Sequence, residues 1–119
     1  MLPHVVVMGV SGCGKSTVGR QLAQLLGTDF LEGDELHSGQ NVARMAAGIA
    51  LTDEDRQGWL ETLAGRLAEA RAQGRGLVIS CSALKRSYRD ILRSGAPDLL
   101  LIHLLLLVVN NFIAICGIQ

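Results

Sequence analysis

Lysine is nearly absent from this chain: Lys15 and Lys85 are the only two among 11 Lys plus Arg in 119 residues. Cysteine, proline and aromatic residues are scarce as well, and each scarcity excludes something. Cys13, Cys81 and Cys116 stand far apart with no paired spacing, which argues against a disulfide framework or a cysteine zinc site. Asp plus Glu also number 11, so the formal charge is zero. No excess of positive charge is present to bind nucleic acid through its phosphates. The opening Met1-Leu2-Pro3-His4 lacks the basic start and cleavage signature of a secretory leader, so a cytoplasmic setting is expected. With two prolines and no low-complexity stretch, nothing reads as a linker, and the length suits one domain.

Apolar residues, in contrast, make up 49% of the chain, too many for a disordered segment. They concentrate at the end, where sixteen of the twenty residues from Leu99 to Ile118 are apolar. That run is long enough to raise the question of a membrane span. His103, the Asn110-Asn111 pair and Gly117 interrupt it, and no Lys or Arg follows Arg93 to fix an orientation. A buried strand followed by an apolar tail is the expected reading.

The rest of the chain alternates short apolar runs with helical patterns. His4–Met8 is β-branched and stopped by Gly9, as in a buried parallel strand. Val18, Leu22, Leu25 and Leu26 recur at helical spacing, and Gly27 suits the position after a helix. Asp29–Leu31 predicts a short strand, Glu32–Gln40 a polar loop and Asn41–Ala47 a short helix. Thr52 is a good N-cap, with Asp53, Glu54 and Asp55 complementing the helix dipole. Leu60, Leu63 and Leu67 give that helix an apolar stripe beside Trp59, and Gly74 ends it. Leu77–Cys81 predicts a strand, Arg86–Ser94 a helix closed by Gly95 and Pro97, and Leu99–Leu104 another strand. Such alternation predicts a parallel α/β sheet wound by right-handed crossovers.

The chemistry concentrates after the first strand. Gly9-Val10-Ser11-Gly12-Cys13-Gly14-Lys15-Ser16 matches G-x-x-x-x-G-K-[ST] in full, with a strand before it and a helix after it. Glycines let the backbone wrap closely and point N–H groups at phosphate oxygens. In this motif Lys15 reaches the β- and γ-phosphates and the Ser16 hydroxyl coordinates Mg²⁺. Gly9, Ser11, Gly12, Cys13, Gly14, Lys15, Ser16 and Thr17 are therefore the candidate ATP site.

A Walker B strand would end in Asp, yet Leu77–Cys81 runs into Ser82 with no carboxylate. Glu32 and Asp34 instead follow the second strand, where the ligand crevice of an open α/β sheet lies. A carboxylate there can act as base for a substrate hydroxyl or help hold Mg²⁺. His37 on the same loop can donate to a polyhydroxy or carboxylate substrate. Arg56 lies one turn into the following helix, whereas Asp53, Glu54 and Asp55 are most simply helix-start charges. Cys13 and Cys81 read as small packing residues.

Four stretches together resemble the gluconate kinases, small P-loop kinases related in fold to shikimate and adenylate kinases. They are VMGVSGCGKSTVG at 7–19, FLEGDELHS at 30–38, LTDEDRQGWL at 51–60 and CSALKRSYRDILR at 81–93. The resemblance covers residues 4–104 and implies a P-loop NTPase-type doubly wound sheet that phosphorylates D-gluconate at its 6-hydroxyl with ATP and Mg²⁺. It implies that Lys15 and Asp34 are catalytic, Asp34 as the base. It puts His37, Arg56 and Lys85 on the substrate and phosphate side of the cleft. The family usually has Asp where this chain has Glu32, which keeps the charge, changes its reach and leaves Ser16 and Glu32 as the metal candidates. Members are often homodimers.

After Leu104 the sequence departs from the family pattern, dividing the chain into a kinase domain at 1–104 and an apolar tail at 105–119. The family's arginine-bearing lid and last strand and helix are not found, and a lid arginine is worth about 10³–10⁵ in rate in other P-loop enzymes. Two further readings stand beside a gluconate kinase. One is a nucleotide-binding remnant without useful turnover, and the other is a shikimate kinase-like enzyme. Against the latter stands Cys-Ser-Ala-Leu-Lys at 81–85, where a Gly-rich stretch would be expected.

Overall fold

The computed structural model describes residues 3–9, 14–82, 85–109 and 112–118, and from residue 104 onward it gives the backbone alone. Its elements are β1 (His4–Met8), α1 (Lys15–Leu26), β2 (Asp29–Glu32), a 3-10 turn (Gly33–Leu36) and α2 (Gly39–Ala46). There follow α3 (Asp53–Ala72), β3 (Leu77–Cys81), α4 (Arg86–Gly95), β4 (Leu100–Val109) and β5 (Phe112–Ile118). The sheet order is β2-β3-β1-β4-β5, with the first four strands parallel.

Period-two alternation along β1 explains the layers. Val5 and Val7 face α1, packing with Ala23, Val78 and Ile102. Val6 and Met8 face the other side, where Leu60, Leu63, Leu67 and Leu92 of α3 and α4 cover the sheet. A chain buried on both faces needs a nearly continuous apolar strand, which is what His4–Met8 supplies. Because α1 leads outward to β2 and α4 leads the other way to β4, the winding reverses beside β1. Ligands of such sheets bind beyond the strand C-termini at that reversal.

Helix ends follow the expected chemistry. Thr52 Oγ1 accepts from the Asp55 amide and the Asp55 side chain accepts from the Thr52 amide, a reciprocal capping box. Gly27 and Gly74 adopt φ of 68° and 70°, the left-handed conformation that closes α1 and α3. Gly95 differs: its expected role was to stop α4, but it is the last residue of the helix and meets α3 instead. A Cβ there would lie 2.1 Å from the Ala64 carbonyl oxygen, so glycine is what allows the two helices to touch.

Several boundaries depart from expectation. Leu25 is 85% exposed and leaves the apolar stripe of α1 to Val18, Leu22 and Leu26. The loop at Glu32–Gln40 contains the 3-10 turn and the start of α2, which Ser38 caps by accepting from the Asn41 amide. β4 runs on to Val109 rather than stopping at Leu104, because no breaker precedes Asn110-Asn111. β5 then returns antiparallel to it, so the apolar run is a strand pair added to the parallel sheet. Among the described residues no helix is long and apolar enough to cross a membrane.

Candidate active site

Three strand ends meet at the cleft. β1 delivers the chain to Gly9 and, on the far side of the loop, to Gly14, whose φ of 86° only glycine adopts freely. Lys15 opens α1 directly afterward. The first turn of α1 holds no acidic residue and, among the described residues, receives no side-chain cap, which suits its amides and the dipole's positive end to an anion. Lys15 is only 6% exposed. A buried ammonium without a counter-charge is strongly destabilising, and Asp34 Oδ2 meets that need 3.2 Å from Lys15 Nζ.

Asp34 is held from the opposite side as well. Its Oδ1 accepts from the Ser82 amide at 3.1 Å and from the Ser82 hydroxyl at 3.2 Å. The 3-10 turn that carries it packs tightly on β3, since a Cβ on Gly33 would lie 2.7 Å from the Ser80 carbonyl. Trp59 Nε1 donates to the Gly33 carbonyl at 2.7 Å and locks the turn onto α3. The neighbouring Glu32 accepts at Oε1 from the buried Ser80 hydroxyl at 2.6 Å.

His37 follows on the same segment, its ring stacked on Trp59 at 4.1 Å between centroids and 19° between planes. Its Nδ1 lies 3.3 Å from Asn41 Nδ2, which also donates to the Asp55 carbonyl. Burial on Trp59 lowers the His37 pKa; the Asp34 carboxylate opposes that shift and the Arg56 guanidinium adds to it. The imidazole thus lies within electrostatic range of both groups.

Arg56 heads a second cluster. Its Nη1 donates to the Tyr88 hydroxyl at 3.0 Å, and Tyr88 donates to Asp53 Oδ1. Lys85 Nζ donates to the same oxygen at 2.8 Å. Hydrogen bonds from Lys85 and Tyr88 hold the Asp53 carboxyl below the usual carboxylate range, and Asp53 in turn raises Lys85. Asp53 is therefore more than a helix-start charge.

Of the residues singled out in the sequence, Lys15 and Asp34 are in contact, while His37 stacks on Trp59 and Arg56 meets Tyr88. Ser16 and Thr17 lie in the first turn of α1. Lys85 is committed to Asp53 at the start of α3, and Glu32 to Ser80. Ser11, Gly12 and Cys13 lie outside the described residues. Sequence reasoning missed Ser82, which follows a strand without a carboxylate, and Tyr88, the chain's one tyrosine. It also read Trp59 as core alone, although its N–H reaches the turn.

A family model described as an AAA domain matches residues 5–110. Gluconokinase of Arabidopsis thaliana is 47% identical over 94 residues, covering 79% of this chain and 50% of that protein. The crystal structure of a gluconokinase from Sinorhizobium meliloti 1021 superposes with a TM-score of 0.79 at 50% identity, covering 86% of this chain and 57% of that one. An unliganded sugar kinase from Janibacter sp. HTCC2649 gives a TM-score of 0.83 at 48% identity, covering 87% and 60% respectively. The chain spans about half the length of the curated relatives it matches. From strand order, P-loop motif and these matches, the chain belongs to the AAA domain family of P-loop proteins, in which the relatives it resembles at about half identity are named gluconokinases.

Proposed function

We propose that this cleft binds Mg-ATP and D-gluconate and transfers the γ-phosphoryl group to the sugar acid's 6-hydroxyl. The observation that carries the proposal is the Lys15–Asp34 pair, a phosphate-binding cation held directly against a candidate base. The names of the relatives supply the substrate.

The residues suit these ligands. The first turn of α1 offers uncapped amides, and Lys15 a buried charge whose partner can be exchanged for a phosphate. Among the described residues no cluster of three or more His, Cys, Asp or Glu could cage a metal. Mg²⁺ keeps several waters and leans on phosphates plus one or two protein oxygens. The Ser16 hydroxyl would hold it, with Glu32 behind, and bound there it neutralises phosphate charge.

Transfer then needs little covalent work from the protein. Phosphate oxygens replace Asp34 as the counter-charge of Lys15. The released carboxylate, still oriented by Ser82, accepts the proton of the substrate hydroxyl as that oxygen bonds to phosphorus. The bond from phosphorus to the leaving oxygen of ADP breaks in the same displacement. His37 and Arg56 are the groups left to hold the remainder of the sugar acid.

The test is ADP release by the 119-residue chain with Mg-ATP and D-gluconate, using Lys15→Ala as the blank. Gluconate-dependent release above the blank is expected. ADP release that gluconate leaves unchanged would overturn the substrate assignment.

A further inference from the structure

Arg56 bears electrostatically on Asp53 and Asp55, yet among the described residues it closes no direct ion pair with either. Arg44, Arg71 and Arg75 each pair with a carboxylate, Asp55, Asp98 and Asp29 respectively. Arg56 pairs with none among the described residues, although acidic groups stand three and one positions before it. Asp53 is occupied by Lys85 and Tyr88. Asp55 is occupied by Arg44 and the Thr52 amide. The polar contact Arg56 makes is to a neutral phenol.

The phenol is well suited to that role. Tyr88 is 4% exposed and packs between α3 and α4, so its ring does not move freely. A phenol has one hydrogen, and Asp53 takes it, so toward Arg56 the oxygen acts only as an acceptor. The guanidinium carbon also lies 5.7 Å from the centre of the Tyr88 ring. Arg56 is thus fixed in direction by a group that carries no charge, and its remaining N–H donors form the fork that matches a carboxylate.

We propose that Tyr88 is a positioning residue that aims Arg56 at the carboxylate of the sugar-acid substrate without neutralising it, with Asp53 orienting the Tyr88 hydroxyl. This rests on the sugar-acid reading above. Arg56 lies one turn before Trp59 on α3, and Trp59 both stacks on His37 and donates to the Gly33 carbonyl beside Asp34. A linear aldonic acid carries its reacting hydroxyl and its carboxylate at opposite ends. A carboxylate at the position of Tyr88 would bind Arg56 more tightly but cancel the charge the substrate needs. Lys85 shares the Asp53 Oδ1 oxygen with Tyr88.

Calorimetric titration of the chain with D-gluconate and with the neutral D-gluconamide, both with a non-hydrolysable ATP analogue present, tests this. Wild type is expected to prefer gluconate. Tyr88→Phe keeps the ring and removes the hydroxyl, and should lower gluconate affinity about tenfold, the scale of one hydrogen bond to a charged group. Amide and nucleotide affinities should stay the same, whereas a merely structural role for Tyr88 would weaken both sugar ligands together. Asp53→Asn retains the phenol and should reduce the preference in the same direction, which keeps the test decisive if Tyr88→Phe does not fold. Undiminished preference in the folded variants would overturn the positioning role and leave the sugar-acid reading standing. Wild type that binds nucleotide but neither sugar ligand would bring down both.

Discussion

Lys15 and Asp34 close on each other at 3.2 Å, joining the first turn of α1 to the 3-10 turn after β2. Lys15 is almost wholly enclosed, so the carboxylate is the counter-charge it requires. The cation and the candidate base are thereby linked, and the occupancy of one controls the freedom of the other.

On the proposed reading, replacing Lys15 by Ala removes the point charge that meets the β- and γ-phosphates. Mg-ATP should raise the wild-type melting temperature and leave that of Lys15→Ala unchanged, as a thermal scan at saturating nucleotide would record. An equal shift in both proteins would defeat the phosphate-site assignment.

Asp34→Asn should lower phosphoryl transfer by about 10²–10⁴, the usual contribution of a general base. It also leaves the Lys15 ammonium without its carboxylate, so the variant should melt below wild type. Its ATP-induced stabilisation should then exceed that of wild type, because nucleotide no longer competes with Asp34. A smaller shift would contradict the exchange of counter-charges.

The pH response should have two parts with one sign. His37 has a folded pKa below its ordinary 6.5, chiefly through burial, so the unfolded chain binds its proton first. Stability should fall as pH drops below about 6.5 and level off under the folded pKa, and His37→Gln should remove that part. Asp53 and Asp55 are depressed, through hydrogen bonds from Lys85 and from the Thr52 amide. What they contribute is present above about pH 4 and is lost as pH falls through their folded values. Melting temperatures from pH 8 to pH 3 check both, and a flat profile from 7 to 5.5 in wild type would contradict the first.

Gly95→Ala should destabilise the fold by about 1–3 kcal/mol or more, since the new methyl meets the Ala64 carbonyl and α4 must shift away from α3. Gly65→Ala, which has open space around the added atom, serves as the control in urea titration. Equal midpoints for the two variants would refute the close approach.

The parts of the fold legible in the sequence are those written in local pattern. His4–Met8 and Leu77–Cys81 announced themselves as strands because both faces are buried, and the Thr52 cap because its chemistry is local. Motif and strand-end position single out Lys15 and Asp34, and the structure brings the two into contact. Less visible was anything that depends on what lies across a gap. Gly95 looks like a helix stop until Ala64 is set against it, and Asp53 looks like a dipole charge until α4 brings Tyr88 beside it. The antiparallel return of β5 is a pairing choice, and an apolar run does not encode its own partner.

Trp59 is the chain's one tryptophan, with its indole against His37 and its N–H on Gly33. Under excitation selective for tryptophan, the emission of the protein therefore comes from a single place, the α3 side of the turn that bears Asp34. Protonation of the stacked imidazole or displacement of that turn by an incoming ligand alters the emission at its source. The molecule carries a native optical probe at its own site, with no label to attach and no second indole to dilute the signal.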